Sequence, residues 1–339
     1  GFSSFIKYRR SPRHCALVEA TRDLTQALTD YKDKPKISLL SLCAEQNFTT
    51  MLILSEALNN FRSSSNTPLT IRHANVAPSS WPSLQSQLRI SPRSYMSLAS
   101  IETIDCYGSP YKLLVEPESQ DIIFSVNFLR TLSRRFETAD FAFLQGSNDA
   151  MLAAEVKKIA QDDLISFLKL RLNELRVGGR LIVTFPYAKT VQKRGFIGQF
   201  MAHAWNRLAD TKLITEKEKA ALIIHEVFRT EEEVDACLEA FSSQAEVIEN
   251  RVFETHSEAY DKWIEDQKDW NLAKDYTELT LAQYADEIDR ALEHRPEEEY
   301  ESIMTSLRIV LTDVFVDHCP KALFSFHIIA LSKLETGKN

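Results

Sequence analysis

The densest group of side chains able to bind an acid lies near the start of the chain: Lys7, Arg9, Arg10 and Arg13, followed at once by His14. An arginine fork pairs a carboxylate at two points, and a histidine adds charge where its pKa is raised. The cluster reads as a solvated terminus, and His14 either as a plain helix-start residue or as a ligand. Arg130, in the run Phe128-Leu129-Arg130-Thr131-Leu132, offers a second bidentate head. Other chemistries are thinly supplied. The cysteines (Cys15, Cys43, Cys106, Cys237, Cys319) are dispersed without a CxxC pair, which fits reduced thiols rather than a disulfide framework or a zinc site. Cys43 and Cys106 have no evident base partner and read as structural thiols. His225, His256, His294, His318 and His327 show no metal-ligand spacing, so no metal is expected. Only 8 of 339 residues are glycine, against ordinary usage of about 7%, which leaves little material for a glycine-rich phosphate cradle.

Composition narrows the partners. Lys+Arg 40 against Asp+Glu 48 gives a formal charge of −8 without a basic block, so nucleic acid is not an expected partner. At 44% apolar residues there is ample material for a core. No apolar run approaches the ~20 residues of a membrane span, and no signal-peptide stretch opens the chain. A cytoplasmic location without membrane contact is therefore expected. The chain begins at Gly1 rather than Met, so its native N-terminus is expected upstream.

The elements that must position these residues alternate. Leu17, Ala20, Leu24, Ala27 and Leu28 give helical spacing over 13–31, followed by a short apolar strand at 37–42. A helix is predicted at 50–61, with strands at 68–73 and 121–125. Leu164, Leu168, Leu172 and Leu175 form one stripe on a long helix, which Val177-Gly178-Gly179 is predicted to stop with glycine in the left-handed position after the last turn. A strand rich in β-branched residues follows at 180–185. This alternation predicts an α/β fold with a mostly parallel sheet and helices on both faces. Later strands are predicted only at 245–253 and 323–332. The expected organisation is a core over 1–185, a helical cap insertion at 186–240, a core strand at 241–253, a second cap insertion at 254–318 and a closing strand at 319–339. Thr230 is predicted to cap a helix opening on Glu231-Glu232-Glu233.

The segment Asp163-Leu164-Ile165-Ser166-Phe167-Leu168-Lys169-Leu170-Arg171-Leu172-Asn173-Glu174-Leu175-Arg176-Val177-Gly178-Gly179-Arg180-Leu181-Ile182-Val183-Thr184-Phe185 resembles the SABATH family of plant-type carboxyl methyltransferases. Their pattern there is roughly D-x-x-x-F-L-x-x-R-x-x-E-L-x-x-G-G-R-M-V-L-T-F. Residues 14–28, 50–56 and 323–333, with Gly108-Ser109-Pro110-Tyr111, are similar to further family segments. The resemblance implies a class I, Rossmann-like methyltransferase sheet with a helical cap. It also implies S-adenosylmethionine (SAM) as a possible cofactor, a small-molecule acid as acceptor, and a possible homodimer. Carried over residue by residue, it assigns cofactor positions to Ser11, Ser41, Cys43, Asn75, Ser109 and Ser125. Acceptor positions fall on Arg10, His14, Phe128, Leu129, Arg130 and Thr131. The acceptor pocket would have Phe128 and Leu129 as its floor and His14 with Arg10 or Arg130 at its mouth.

The departures from the family pattern lie where cofactor and acceptor would bind. Ser41 stands for the loop acid, Cys43 and Asn47 for its two glycines, and Phe48 for its proline, while Glu45 adds a negative charge. Asn75 replaces the acid that grips ribose hydroxyls, His14 the acceptor-side glutamine, and Thr131 a tryptophan. Two functional classes follow. One is a diverged protein with lost or altered SAM use, binding a partner or a small molecule. The other is an active SAM-dependent O- or N-methyltransferase of a small acid, which needs proximity rather than a general base.

Overall fold

The computed structural model describes residues 12–43, 48–75, 86, 89–90, 94–189, 197–254, 270–318 and 325–336, with backbone alone at 12–17, 43, 48–49, 51–52, 75 and 254. The first half runs α1 (Pro12–Asp30), β1 (Ile37–Cys43), α2 (Phe48–Arg62), β2 (Leu69–Asn75), β3 (Ile101–Tyr107), β4 (Gln120–Val126), α3 (Ala150–Glu174) and β5 (Leu175–Pro186). The second half runs α4 (Ile197–Asp210), α5 (Glu216–Ala221), α6 (Glu231–Glu239), β6 (Ala245–Glu254), α7 (Trp270–Gln283), α8 (Ala285–Ala291), α9 (Glu297–Asp317) and β7 (Ser325–Lys333).

Among the described residues the strands form one sheet in the order β3-β2-β1-β4-β5-β7-β6. The pairs β1–β2, β1–β4, β2–β3 and β4–β5 are parallel, and β7 runs antiparallel between β5 and β6. A strand in such a sheet is covered on both faces and needs apolar residues at successive positions. β4 meets that demand with every residue buried. In β1, Ile37 and Leu39 enter the core that includes α1 and α2 residues, while Leu40 and Leu42 enter the core beneath α3. Alternation along one strand thus fixes both layers.

The strands predicted at 37–42, 68–73, 121–125, 180–185, 245–253 and 323–332 are found, each within a few residues. β3 was not predicted. It lies at a sheet edge, no residue of it is fully buried, and it lacks the apolar signal on which strand reading depends. The role predicted for Gly178-Gly179 is corrected. α3 ends at Glu174, and the glycines lie inside β5, where pairing jumps from Gln120↔Leu175 to Ile122↔Arg180. Gly178 has φ +77°, and a Cβ on Gly179 would come within 2.8 Å of the Arg176 carbonyl and 3.1 Å of that of Asp121. The glycine pair makes a bulge rather than a helix stop.

The later helices divide by packing. α4, α7, α8 and α9 bury side chains in one apolar core together with Ala142, Phe143, Leu222 and Ile224. α6 places Val234, Cys237 and Leu238 in the sheet-side core that holds α3. Thr215 and Thr230 close capping boxes with Glu218 and Glu233 at the starts of α5 and α6. Among the described residues no helix is long and apolar enough to cross a membrane.

Candidate functional site

Strand order reverses between β1 and β4: β1 leads outward to β2, and β4 leads the other way to β5. Ligands of open α/β sheets bind in the crevice outside the carboxyl ends at such a switch point. Register brings Tyr107, Asn75, Cys43, Val126 and Thr184 into one row at that edge. Four predicted cofactor positions are thereby gathered on adjacent strands: Ser41, Cys43, Asn75 and Ser125. Ser41 and Ser125 are fully buried. His73, which the sequence reading passed over, is the register partner of Ser41. Its ring bonds the Tyr95 hydroxyl, and burial holds its pKa down at about 4, so it is neutral.

Ser125 Oγ, Asn127 Oδ1 and the Tyr111 hydroxyl, buried around this edge, have no hydrogen-bond partner among the described residues. Asn127 sits one residue beyond β4 in the left-handed region (φ 56°, ψ 16°), which asparagine tolerates better than most residues. Its N–H donates to the Thr184 carbonyl at 2.8 Å, which anchors the turn that follows. Only an amide directly after an apolar strand marked this position in the sequence.

The turn Phe128–Arg130 carries predicted acceptor residues. Leu129 is buried, and Phe128 stacks on Phe167 with centroids 5.9 Å apart and lies 6.1 Å from Tyr111. Arg229, 1% exposed, donates from Nη1 to the Leu129 carbonyl at 2.7 Å and from Nη2 to that of Ala160 at 2.8 Å. Its guanidinium also lies over the Phe185 ring at 5.5 Å. Burial lowers its pKa, and no carboxylate pairs with it among the described residues. Arg130 lies 3.7 Å from Glu226, a buried acid that also accepts from Gln283 Nε2 at 2.9 Å and Tyr284 Oη at 3.3 Å. The Arg130 charge is thus balanced by Glu226, at the seam with α7. Thr131 is exposed and bridges the backbone of Glu226.

Ser109 is exposed just past β3, and its Oγ accepts the Tyr111 N–H at 3.2 Å. The loop around it is clamped by a second buried arginine. Arg171 donates to the carbonyls of Pro110 (3.0 Å) and Lys112 (2.8 Å) and pairs with Glu174 at 2.6 Å. Glu174 in turn accepts the Leu114 N–H at 2.6 Å. Burial lowers the Arg171 pKa and raises that of Glu174, each opposed by the other's charge. Of the remaining predicted residues, Arg10 and Ser11 lie outside the described residues. His14 is placed by its backbone alone, in the first turn of α1.

The described residues set hydroxyl and amide groups beside an aromatic wall at this edge. Burial raises the Cys106 thiol, the reverse of what a reactive thiolate needs.

No family model matches the chain, and no curated protein matches it in sequence. Solved structures do match. A structure of loganic acid methyltransferase with SAH aligns at TM-score 0.71 and 13% identity, over 98% of this chain and 98% of that one. Coclaurine N-methyltransferase bound to N-methylheliamine and SAH aligns at TM-score 0.44 and 10% identity, over 94% of this chain and 71% of that one. The first likeness is one of fold: the chain has the class I, Rossmann-like methyltransferase architecture.

Proposed function

We propose that this protein binds a small molecule at the carboxyl edge of a methyltransferase-type sheet and has lost the conventional use of SAM. One observation carries the reading: the donor set where the strand order reverses. Cys43 and Asn75 are register neighbours there, next to Val126, and none of the three supplies a carboxylate. An ionised acceptor on a ribose hydroxyl makes roughly twice as strong a bond as a neutral amide. Between Cys43 and Phe48 the chain reads Ala-Glu-Gln-Asn, with no glycine to let the backbone approach a ligand and with an acid in the loop. These residues do not fit SAM in the usual way. What the chain's own residues do is simpler. Ser125, Asn127 and Tyr111 offer hydrogen bonds, Phe128 offers an apolar surface, and Arg229 fixes the turn that presents it.

Calorimetric titration with SAM tests the reading. No saturable heat in the micromolar range is expected, with a gain of binding on Asn75→Asp combined with Cys43→Gly and Asn47→Gly. The second reading is an active SAM-dependent O- or N-methyltransferase of a small acid. The unpartnered Ser125 Oγ and Asn127 Oδ1 favour it, because a buried polar atom costs about 1–3 kcal/mol unless something satisfies it. Micromolar SAM binding by the wild-type chain, weakened by Asn127→Ala, would establish that reading instead.

A further inference from the structure

A cavity of about 420 Å³ lies between the loop that follows the Phe128–Arg130 turn, the end of α5 with the extended segment 222–225, and α8. It is lined by Arg135, Phe136, Glu137, Ile223, His225 and Glu287, with Ala221 and Arg290. No strand contributes to it. Its volume falls within the roughly 300–1,000 Å³ of small-molecule sites.

The way the walls are assembled is regular. Ile223 and His225 are alternate residues of an extended segment and share one face, and Ala221 is the last residue of α5 just before it. The intervening Leu222 and Ile224 go into the cap core instead. Glu287 and Arg290 stand three residues apart on α8 and so share a face of that helix. His225 Nε2 accepts the Phe136 N–H at 2.9 Å, which locks the loop against the segment. Burial, then the positive charges of Arg135 and Arg290, hold the His225 pKa down at about 4, partly opposed by its bond to the Ile223 backbone. The ring is therefore neutral near pH 7 and serves as a fixed wall.

The charge pattern identifies the occupant. Two guanidiniums, Arg135 and Arg290, and two carboxylates, Glu137 and Glu287, surround the cavity, and none of the four forms an ion pair with a described residue. Nearby Arg134, by contrast, is paired with Glu155, and Arg295 with Glu218 at 2.5 Å. Burial raises the Glu287 carboxyl, and the charges of Arg130 and Arg290 lower it only in part. Two cations and two anions with a neutral histidine give a lining with no net charge that carries both signs; Arg135, Glu137 and Arg290 are exposed and Glu287 is half-buried. A simple anion would meet the glutamates, and a simple cation the arginines. A molecule carrying both charges a short distance apart meets neither objection.

We propose that this cavity is a binding site for a small zwitterion of the α-amino-acid class. The carboxylate lies toward Arg135 and Arg290, the ammonium toward Glu137 and Glu287, and the apolar body against Phe136 and Ile223. The site is separate from the sheet edge and stands whether or not SAM binds there.

Three probes of one skeleton test it by calorimetry: L-phenylalanine, 3-phenylpropionate lacking the ammonium, and 2-phenylethylamine lacking the carboxylate. L-phenylalanine is expected to saturate and to shift the His225 ring signals in NMR spectra, with each half-probe about tenfold weaker or worse. Arg290→Gln should weaken L-phenylalanine and 3-phenylpropionate but spare 2-phenylethylamine. Glu287→Gln should do the reverse for the two half-probes. Arg135→Gln, on a different element, repeats the arginine arm should either α8 variant unfold. The proposal is overturned if L-phenylalanine does not saturate, if 3-phenylpropionate binds as tightly, or if binding survives all three substitutions unchanged.

Discussion

Arg171 and Arg229 are both sealed from solvent, and each holds a loop at the carboxyl edge of the sheet, yet their surroundings are opposites. Arg171 has a carboxylate beside it: Glu174 shares its burial, and together they tie down the loop from Pro110 to Leu114 after β3. Arg229 bonds the carbonyls of Leu129 and Ala160 and lies over the face of Phe185, with no direct ion pair among the described residues, and it holds the turn after β4. The first is a closed ion pair, strong against disruption and insensitive to what binds nearby. The second holds its cation on carbonyl bonds and a ring face, with the charges of Asp163 and Glu233 acting on it but no direct ion pair among the described residues. The loop that bears Ser109 is thus fixed by a neutralised clamp, and the turn that bears Phe128 by a charged one.

The largest effect should come from splitting the clamp. Arg171→Leu leaves Glu174 buried without its partner, so urea denaturation should show a loss of about 3–5 kcal/mol. Adding Glu174→Leu should recover much of it, since a well-packed apolar pair often replaces a buried ion pair at little cost. A single variant costing less than its double would break the contrast. Arg229→Leu breaks no direct ion pair among the described residues and strands the Leu129 carbonyl and a shared helix carbonyl, so a smaller loss of about 1–3 kcal/mol is expected. Equal losses for both arginines would mean that the partner carboxylate does not set the difference.

A third charged site sharpens the point with acids. Asp23 on α1 hydrogen-bonds Glu249 on β6, and burial, that bond and the Glu249 charge raise its pKa from 3.8 to about 7, against the opposing charges of Arg22 and Arg251. Because the folded chain holds this proton more tightly than the unfolded one, the contribution to stability is fully present below pH ~4. It falls as pH rises through about 7. Asp23→Asn should therefore flatten thermal stability across that interval and leave the protein about 1–2 kcal/mol more stable above it, a figure discounted for the site's partial exposure. An unchanged pH profile would remove Asp23 from the account. The smallest effect is local: Thr230→Ala removes the cap of α6 and should cost about 1 kcal/mol by the same denaturation.

The sheet was legible because its central strands are unbroken apolar runs, as at 37–42 and 121–125, which only burial on both faces explains. β3 was not, because an exposed edge strand need not be apolar, and Gly178-Gly179 misled because a bulge and a helix stop use the same residue. Ser41, Cys43, Asn75 and Ser125 were assigned through family resemblance, and the register sets them on adjacent strands. Arg229 and Arg171 were not. Arginine is presumed exposed, an Arg-x-x-Glu spacing reads as a surface pair, and the partner of Arg229 lies 100 residues away in sequence. The Arg130–Glu226 pair was hidden for the same reason, since long-range pairing leaves no local pattern.

The central claim, a methyltransferase-type sheet edge that no longer takes SAM, is tested most directly by titrating the full chain with SAH in a calorimeter. The account predicts no saturable binding in the micromolar range by the wild-type protein. A micromolar isotherm at one site per chain, lost in Asn127→Ala, would contradict it.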